Sequence, residues 1–458
     1  MQGEHDSPVQ TLFFDRALLS GGWAKHVRVC IQAGKFSCVN ADCTLRPGEE
    51  QHGCALPGMP NLHSHAFQRA MAGMAEQRSP TNDSFWTWRE IMYRFLDRMN
   101  PDDLRAVATL AYMEMLEGGF TRVGEFHYLH HDRDGRRYAA IAEMSGAIIA
   151  AAADSGIGMT LLPVLYSHSG FGAQRPTQGQ RRFLNDLEQF GFLLEEARCL
   201  AEALPDAIVG VAPHSLRAVS AEQLAGLGEM QHHGPIHIHI AEQMKEVDDC
   251  IAWSGQRPVE WLLSHADVDE HWCLVHATHL TPDETIALAR SGAAAGLCPI
   301  TEANLGDGLF PALDYVSAGG RYGIGSDSNV LIDATEELRL LEYGQRLTLR
   351  GRNIMAGGVG QSTGASLYVN ALMGGAAALG VNAGITPGAA ADIVSLDMEH
   401  PSLLGKGDAV LDAYLFACGR TAIDCVWRHG KRVVTGGRHA ERDAILKVYL
   451  ATLQKLIA

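Results

Sequence analysis

The sequence lacks basic runs and carries little positive charge. Its 458 residues include 37 lysines and arginines against 53 aspartates and glutamates, a formal net charge of −16. A phosphate backbone would be repelled by that field, because nucleic-acid binding needs clustered cations. We therefore expect no nucleic-acid partner. A small anionic substrate remains compatible with this charge, since a few local arginines can reverse the potential inside a pocket.

Cysteines at metal-binding spacing are also missing. The chain has ten cysteines but no Cys-x-x-Cys, and only Cys38 and Cys43 lie close together. Zinc knuckles and thioredoxin-type redox sites are therefore unsupported, and the Pro-Cys-x-x-Cys motif of cytidine deaminases is excluded. In a chain this long we expect no disulfide framework, but small buried thiols in a reducing cytosol.

Long apolar runs are absent as well. No window offers about 18 uncharged apolar residues, and the first ten residues have no basic segment followed by an apolar stretch. We therefore expect a soluble, cytoplasmic protein without a membrane partner.

What the chain does contain is an alternation of short apolar strands with longer helical stretches. The strand candidates are CALPGMPNLH, FTRVGEFH, GMTLLPVLYSH, AIVGVAPHS, PIHIHIAE, WCLVHAT, AAAGLCP and RYGIGSDS. A helix such as PDDLRAVATLAYMEMLEGG, which Pro101 opens and Gly118 closes, fits between two of them. Eight strands alternating with helices predict an α/β fold closed as a (β/α)8 TIM-type barrel.

Both ends of the chain have a different pattern, of short strands and turns. Near the N-terminus these are TLFFDRALL, HVRVCIQ and FSCVNADCTL, and near the C-terminus ITPGAAADIVSLD, DCVWRHG and KRVVTGG, followed by a helix from Arg442. We predict that residues 1–57 and 384–458 form a small β-sandwich domain with a C-terminal helix. The metal-dependent barrel then spans residues 58–383.

Imidazoles and one carboxylate stand at the ends of the predicted barrel strands. They are His63, His65, His239, His276 and Asp327. Side chains two apart on a strand point to the same side, so His63 and His65 can grip one ion together. Active-site groups collect at the carboxyl ends of barrel strands, and nitrogen and oxygen donors suit zinc, iron or manganese. The pattern predicts a metal-dependent hydrolase.

Other histidines are further candidates for metal ligands or pocket residues. His237 shares the face of His239, but His239 lies nearer the strand end, and we favour it as the ligand. His279 is expected outside the metal site. The remaining candidates are a cluster that could line the pocket, His127, His130 and His131, and a solvent turn with His232 and His233.

These segments resemble the amidohydrolase superfamily. Strand four, VGVAPHSL, has no lysine, whereas binuclear members usually carry a carbamylated lysine there, so the chain resembles the mononuclear deaminase branch. More narrowly, it resembles the formimidoylglutamate deiminases of histidine degradation in PGMPNLHSHAFQRAMAG, NDSFWTWRE, EFHYLHHD, HSLRAV, HIHIAEQMKEVDDC, LVHATH and TEANLGDG. One departure is GSDSN, ending at Asn329, where that family leads us to expect GSDSH. It concerns contacts around Asn329.

The resemblance implies one divalent ion, Zn²⁺ in preference to Fe²⁺ or Mn²⁺. Its ligands would be His63, His65, His239 and Asp327, and the ion would lower the pKa of a bound water from about 15.7 towards 7. Asp327 could also accept a hydrogen bond from the activated water. His276 is then the general base or electrostatic partner.

Glu242 follows His239 by three residues, past the strand end. A carboxylic acid there could protonate the substrate nitrogen as ammonia leaves. Position alone also fits a glutamate that favours a helix dipole, and the resemblance tips the interpretation to catalysis.

The implied substrate is a small dicarboxylate amidine, N-formimidoyl-L-glutamate, hydrolysed to N-formyl-L-glutamate and ammonia. Two carboxylates need fixed cations, and the planar forks of Arg89 and Arg217 suit bidentate recognition. The family pattern adds hydrogen bonds from Gln68, Tyr128 and His214.

Two alternatives compete with this hypothesis. One keeps the barrel and metal but takes an aromatic carbon-nitrogen substrate such as guanine or a triazine. The other is a non-catalytic protein on the same fold. A homodimer is expected by base rate alone.

Overall fold

The fold is taken from a computed structural model that describes residues 8–78, 85–230 and 234–458. Within these residues the strands are β1 (Gln10–Leu19), β2 (Gly22–Gln32), β3 (Lys35–Asn40), β4 (Glu50–Pro57), β5 (Met59–Ser64), β6 (Phe120–His127), β7 (Gly158–Leu165), β8 (Ile208–Val209), β9 (Ala212–Pro213), β10 (Ile236–Ile240), β11 (Trp272–His276), β12 (Ala294–Leu297), β13 (Arg321–Ile324), β14 (Ile393–Leu396), β15 (Ile423–Arg428), β16 (Lys431–Thr435) and β17 (Arg438–His439).

The helices of the described residues lie mostly between barrel strands. They are α1 (Phe85–Leu96), α2 (Pro101–Glu117), α3 (Glu143–Ser155), α4 (Leu187–Ala201), α5 (Ala221–Met230), α6 (Met244–Ser254), α7 (Pro258–His265), α8 (Pro282–Ser291), α9 (Pro299–Leu305), α10 (Ala312–Ser317), α11 (Ala334–Leu349), α12 (Thr363–Ala378), α13 (Val410–Ala413) and α14 (Arg442–Ile457). No helix among them is both long and apolar enough to cross a lipid bilayer.

The barrel expected from the sequence is confirmed. Its parallel strands run in the order β10-β11-β12-β13-β5-β6-β7-β8, and β9 also pairs with β7. Strand four was predicted as one strand but is broken into β8 and β9 around Gly210, where a Cβ would lie 2.4 Å from the Pro235 carbonyl oxygen. Bridges from Val211 to Ile236 and from Ser215 to His239 join this broken strand to β10.

Strands from both chain ends form a second sheet, as predicted. Its order is β17-β16-β15-β14-β4-β1-β2-β3. Alternate residues of these strands pack on one face, where the Phe14 and Trp427 rings meet edge to face at 6.0 Å. The sheet therefore has an apolar core separate from that of the barrel.

The predicted segment CALPGMPNLH is two strands, not one. Its first part ends β4 in the small sheet and its second part begins β5 in the barrel, with Gly58 between them. A Cβ on Gly58 would lie 2.3 Å from the Thr121 side chain, so only glycine fits this junction without displacing β6.

The ends of α2 follow the signals in the sequence. Asn100 and Asp103 form a reciprocal capping box at its N-terminus, with Pro101 in the first turn and Gly118 after the last residue. The C-terminal helix α14 packs on this barrel helix, where Ile445 meets Leu110 and Met113. The division of the chain at residues 57/58 and 383/384 stays a prediction.

The cysteines correct one expectation. Cys30 and Cys38 form a disulfide between β2 and β3, because these residues lie directly opposite each other in the antiparallel register. Distance along the chain gave no hint of that register. Cys199 is exposed, whereas Cys54, Cys250, Cys273, Cys298 and Cys425 are buried thiols as expected.

Candidate active site and metal centre

Four side chains from three barrel strands or the loops that follow them meet at one point. They are His63, His65, His239 and Asp327, whose donor atoms all lie within 4.8 Å of one another. The Nε2 atoms of His63 and His65 are each 3.4 Å from Asp327 Oδ1. His63 Nε2 is 3.0 Å from His239 Nε2. Three nitrogens and a carboxylate oxygen at these spacings are a donor set that zinc accepts.

The backbone carries Asp327 to this point. After β13 ends, the Asp327 N–H donates to the His63 carbonyl and the His65 N–H donates to the Asp327 carbonyl, at 3.0 and 2.9 Å. Asp327 has a left-handed φ of 43°, which lifts its side chain out of the strand direction. The loop therefore continues the pairing of β13 with β5.

The imidazoles are aimed by hydrogen bonds on their far sides. His65 Nδ1 lies 2.9 Å from the Phe126 carbonyl, and His239 Nδ1 lies 3.0 Å from the His214 carbonyl. A ring that donates from Nδ1 presents the lone pair of Nε2 to the cluster. These two histidines thus present acceptor nitrogens, as a metal site requires.

Burial sets the charge of the donors. It lowers the pKa of His63 to about 3, and it lowers the pKa of His65 and His239 as well. Burial alone would raise the pKa of Asp327, but the hydrogen bond from His63 and the nearby imidazoles outweigh it and hold that pKa below its usual range. At neutral pH the cluster offers neutral imidazoles and one carboxylate.

A cavity opens on this cluster of four donor side chains, the donor cluster. The described residues that line it are His65, Gln68, Phe85, Trp88, Arg89, Met92, Tyr93, Tyr128, Tyr166, Phe183, His214, Arg217, His239, Glu242, His276, Thr301, Leu305 and Asp327. All five predicted substrate-binding residues and all three predicted catalytic residues are among them. His63 lies behind the cavity wall and reaches the cluster from there.

Two guanidinium groups face this cavity. Arg89 and Arg217 flank the Trp86 ring, at 4.5 and 5.8 Å from its centroid. Their Nε atoms are buried without a hydrogen-bond partner among the described residues. Burial lowers the pKa of Arg217, but Glu246 and Glu242 outweigh it, so the group stays charged. Donors in this condition are suited to receive an anion.

Gln68 and Tyr128 form a hydrogen-bonded pair on another wall. Gln68 Nε2 donates to the Tyr128 hydroxyl at 3.0 Å, and that hydroxyl lies 3.4 Å from Met92 Sδ. The Gln68 Oε1 atom is buried without a partner in the described part of the chain. It is an unsatisfied acceptor on a residue that lines the cavity.

Glu242 and His276 lie together beside the cluster. His276 Nε2 is 3.9 Å from Glu242 Oε1 and 3.8 Å from Asp327 Oδ2. Burial raises the pKa of Glu242 above its usual range. Burial would lower the pKa of His276, but Glu242 and the other nearby carboxylates outweigh it and raise that pKa. Such a pair can hold and pass a proton.

Glu302 was missed in the sequence. It lies in the first turn of α9, after β12, and its Oε1 lies 3.3 Å from His276 Nδ1. The one available signal was its place in TEANLGDG, just after the seventh barrel strand. The other missed cavity residues, Met92, Tyr93, Tyr166, Phe183, Thr301 and Leu305, carry no local pattern that distinguishes them from core residues.

The competing histidines lie elsewhere. His237 Nε2 is 2.7 Å from the Ala378 carbonyl, away from the donor cluster. His130 and His131 bond to the Val164 and Leu184 carbonyls and do not line the cavity. His127 is fully buried and does not line the cavity. His279 is not part of the donor cluster. His232 and His233 fall outside the described residues.

Asn329 stands where the resemblance led us to expect the histidine of GSDSH. Its side chain hydrogen-bonds the backbone around it. Its Nδ2 lies within 3.1 Å of Ser64 Oγ and of the carbonyls of His65 and Asp327, and its Oδ1 accepts from Ser326 Oγ at 2.6 Å. It is fully buried and does not line the cavity. The side chain joins the loop after β13 to the end of β5.

Comparison with known proteins agrees with this geometry. Residues 54–433 match the model of the amidohydrolase family, and residues 10–53 match the N-terminal domain of formimidoylglutamate deiminase HutF. Formimidoylglutamate deiminase from Pseudomonas aeruginosa is 51% identical over 453 residues, which cover 98% of this chain and 100% of the relative.

Solved structures with the same fold include close and distant relatives. An amidohydrolase from Brucella melitensis superposes with a TM-score of 0.95 at 52% identity, covering 98% of this chain and 100% of that one. An adenosine deaminase from Xanthomonas campestris, solved with bound zinc, superposes with a TM-score of 0.81 at 21% identity, covering 98% of each chain, and so shows the fold alone. By sequence and by fold, the chain belongs to the amidohydrolase family.

Proposed function

We propose that this protein hydrolyses N-formimidoyl-L-glutamate to N-formyl-L-glutamate and ammonia, a step of histidine degradation. It is a hydrolase that acts on the carbon-nitrogen bond of a linear amidine, as its 51% identity to formimidoylglutamate deiminase over nearly the whole chain supports. The observation that carries the proposal is a pair of arginines, Arg89 and Arg217, which line the same cavity as the donor cluster and whose Nε atoms are buried without a hydrogen-bond partner among the described residues. The substrate has two carboxylates to place there.

The metal is assigned to His63, His65, His239 and Asp327. We propose one divalent ion, Zn²⁺ in preference to Fe²⁺ or Mn²⁺, because three neutral imidazoles and one carboxylate suit it. When bound, the ion supplies Lewis-acid activation of water at neutral pH. The protein contributes the buried donors and the hydrogen bonds that aim them.

The remaining roles follow from position. Arg89 and Arg217 bind the substrate carboxylates, while Gln68, Tyr128 and His214 add hydrogen bonds that orient the amidine. All five act on binding and alignment. They hold the amidine carbon near the donor cluster and displace water from the cavity.

Proton transfer is assigned to three acidic or basic groups. His276 is assigned as the general base: the charge of a bound ion would oppose the carboxylates that raise its pKa, so that its Nε2 could take a proton from the attacking water. Asp327 accepts a hydrogen bond from that water. Glu242, which burial keeps protonated more readily than an exposed glutamate, delivers a proton to the leaving nitrogen. The products are a formyl group and ammonia, which balances one amidine and one water.

The alternatives fit less well. Guanine or a triazine carries no carboxylates, so an aromatic substrate would leave the buried Nε–H donors of Arg89 and Arg217 without an acceptor, which is costly. A non-catalytic protein would not need a complete donor set, an acid and a base in one cavity. The small substrate aside, the expected homodimer and cytoplasmic location stay predictions.

Steady-state release of ammonia tests the proposal. We expect kcat/KM for formimidoylglutamate to exceed that for guanine by orders of magnitude, with formimidoyl-aspartate as the matched shorter dicarboxylate. Elemental analysis of the same sample should give about one metal equivalent. Faster turnover of guanine would reject the substrate, and no turnover by the metal-loaded protein would reject the enzyme.

A further inference from the structure

A buried glutamate lies directly behind His276. Glu302 Oε1 is 3.3 Å from His276 Nδ1, on the side of the ring away from Glu242. Both residues are buried, with exposed fractions of 5% for Glu302 and 1% for His276. A proton on His276 Nδ1 is therefore hydrogen-bonded to Glu302 and not to solvent.

A backbone N–H also donates a hydrogen bond to Glu302 Oε1, which acts as an acceptor. The Cys298 N–H donates to Glu302 Oε1 at 2.9 Å. A carboxylate oxygen held in this way can only accept from His276, so the hydrogen of the neutral imidazole belongs on Nδ1. The lone pair is then on Nε2, which faces Glu242 and Asp327.

The backbone at His276 is held in an unusual conformation. His276 and Ala277 have φ values of 68° and 46°, in the left-handed region that residues other than glycine rarely adopt. Such a conformation is strained and persists only where its surroundings enforce it. His276 is the last residue of β11, and its ring lines the cavity.

We propose that Glu302 is the positioning residue of His276. It keeps the proton on Nδ1 and so leaves Nε2 free to take a proton from the attacking water. This inference rests on the proposed role of His276 as the base. Without an acceptor behind Nδ1, the ring can adopt the other tautomer, whose Nε2–H cannot accept a proton.

A purely structural role is the competing account. Glu302 caps the start of α9 through Cys298, and a second buried carboxylate does the same, because Glu337 Oε2 accepts from the Ile300 N–H at 2.9 Å. Glu337 does not line the cavity, and among the described residues it makes no hydrogen bond to His276. It is therefore a matched control for capping.

The test compares Glu302→Leu, Glu302→Gln and the two corresponding Glu337 variants. Leucine removes the acceptor, and we expect kcat to fall about 10- to 100-fold with little change in KM, the usual effect of losing a partner that orients an active histidine. Glutamine should restore most of kcat, because the Cys298 N–H holds its amide oxygen in place of Glu302 Oε1. Both Glu302 variants should still bind one metal equivalent.

Three outcomes would overturn the inference. They are a Glu302→Leu enzyme with normal kcat, a Glu302→Gln enzyme as slow as the leucine variant, and Glu337 variants that lose kcat to the same extent. If Glu302→Leu does not fold, Glu302→Ala takes its place with the same expected result. His276→Ala distinguishes the base role of His276 from the positioning role of Glu302. Normal activity in that variant rejects the base itself, whereas an inactive His276→Ala with a normal Glu302→Leu rejects only the positioning role.

Discussion

His63 and His239 present their Nε2 atoms to each other at 3.0 Å, although 176 residues separate them in the chain. His239 holds its hydrogen on Nδ1, towards the His214 carbonyl, so the nitrogen that faces His63 is an acceptor. Burial keeps both rings neutral. A cation at this point would be attracted by the lone pair on His239 Nε2 and by the carboxylate of Asp327.

Removal of the metal should therefore lower the melting temperature. An ion present at a thousandfold its Kd adds about 4 kcal/mol to folding stability, because it binds the folded state alone. Differential scanning fluorimetry with and without a chelator measures this difference. His239→Ala, which lacks one donor, should melt at nearly the same temperature in both conditions. An unchanged wild-type melting temperature, with metal loss verified by elemental analysis, would contradict the assignment.

Arg217→Ala should raise KM by about 10- to 100-fold, as expected for the loss of one charge-assisted contact to a substrate carboxylate. We expect kcat to change little, because the contact is the same in the bound substrate and in the transition state. Initial-rate measurements over a wide substrate range give both constants. Arg175→Ala, an exposed arginine off the cavity, is the control, and a fall in kcat without a rise in KM would be the wrong pattern for a binding residue.

Glu242→Gln should behave in the opposite way. The amide keeps the size of the side chain but has no acidic proton, so kcat should fall about 10²- to 10⁴-fold with KM nearly constant. Glu222→Gln, at a carboxylate that hydrogen-bonds Ser220 on the surface, should leave both constants unchanged. Equal changes in kcat and KM in both the Arg217 and Glu242 variants would undermine the separation of binding from proton transfer.

His130 should make folding stability depend on pH. Burial holds its pKa well below the usual value, so the folded protein keeps this ring neutral while the unfolded chain takes up a proton below about pH 6.5. The unfolded state then binds more protons, and stability present above pH 6.5 is lost as the pH falls towards the folded pKa.

His130→Gln removes this dependence but can retain a donor to the Val164 carbonyl. Between pH 6 and pH 5 the wild type should lose up to about 1.4 kcal/mol more than this variant. Urea unfolding at each pH measures the difference. His26→Asn, at an exposed histidine, should track the wild type, and parallel pH curves for wild type and His130→Gln would refute the assignment.

The sequence predicts the strands and helices that carry strong local signals. The alternation in β5 places His63 and His65 on one side, and Asn100, Pro101 and Asp103 mark the start of α2 before any tertiary contact is known. The metal-donor residues could be predicted from their position at the ends of strands, because the barrel brings the carboxyl ends of its strands to one rim.

Features that depend on tertiary contacts escaped prediction. Gly58 and Gly210, where the predicted strands break, pack closely against Thr121 and Pro235, which are distant in sequence, and the Cys30–Cys38 pair depends on strand register. Glu302 stands beside His276 only because β11 and β12 are neighbours in the barrel. None of these neighbours can be read from local periodicity.

The single residue between β4 and β5 links the position of the small sheet to the chemistry of the barrel. Pairing with β1 and β14 holds β4, and the Tyr368 hydroxyl holds the carbonyl of Pro57 at 2.7 Å. Because side chains alternate, a slip of one position along β5 would turn His63 and His65 outward together. The small sheet therefore fixes the register of β5. Substitutions far from the cavity that loosen β4 should lower metal affinity before they unfold the protein.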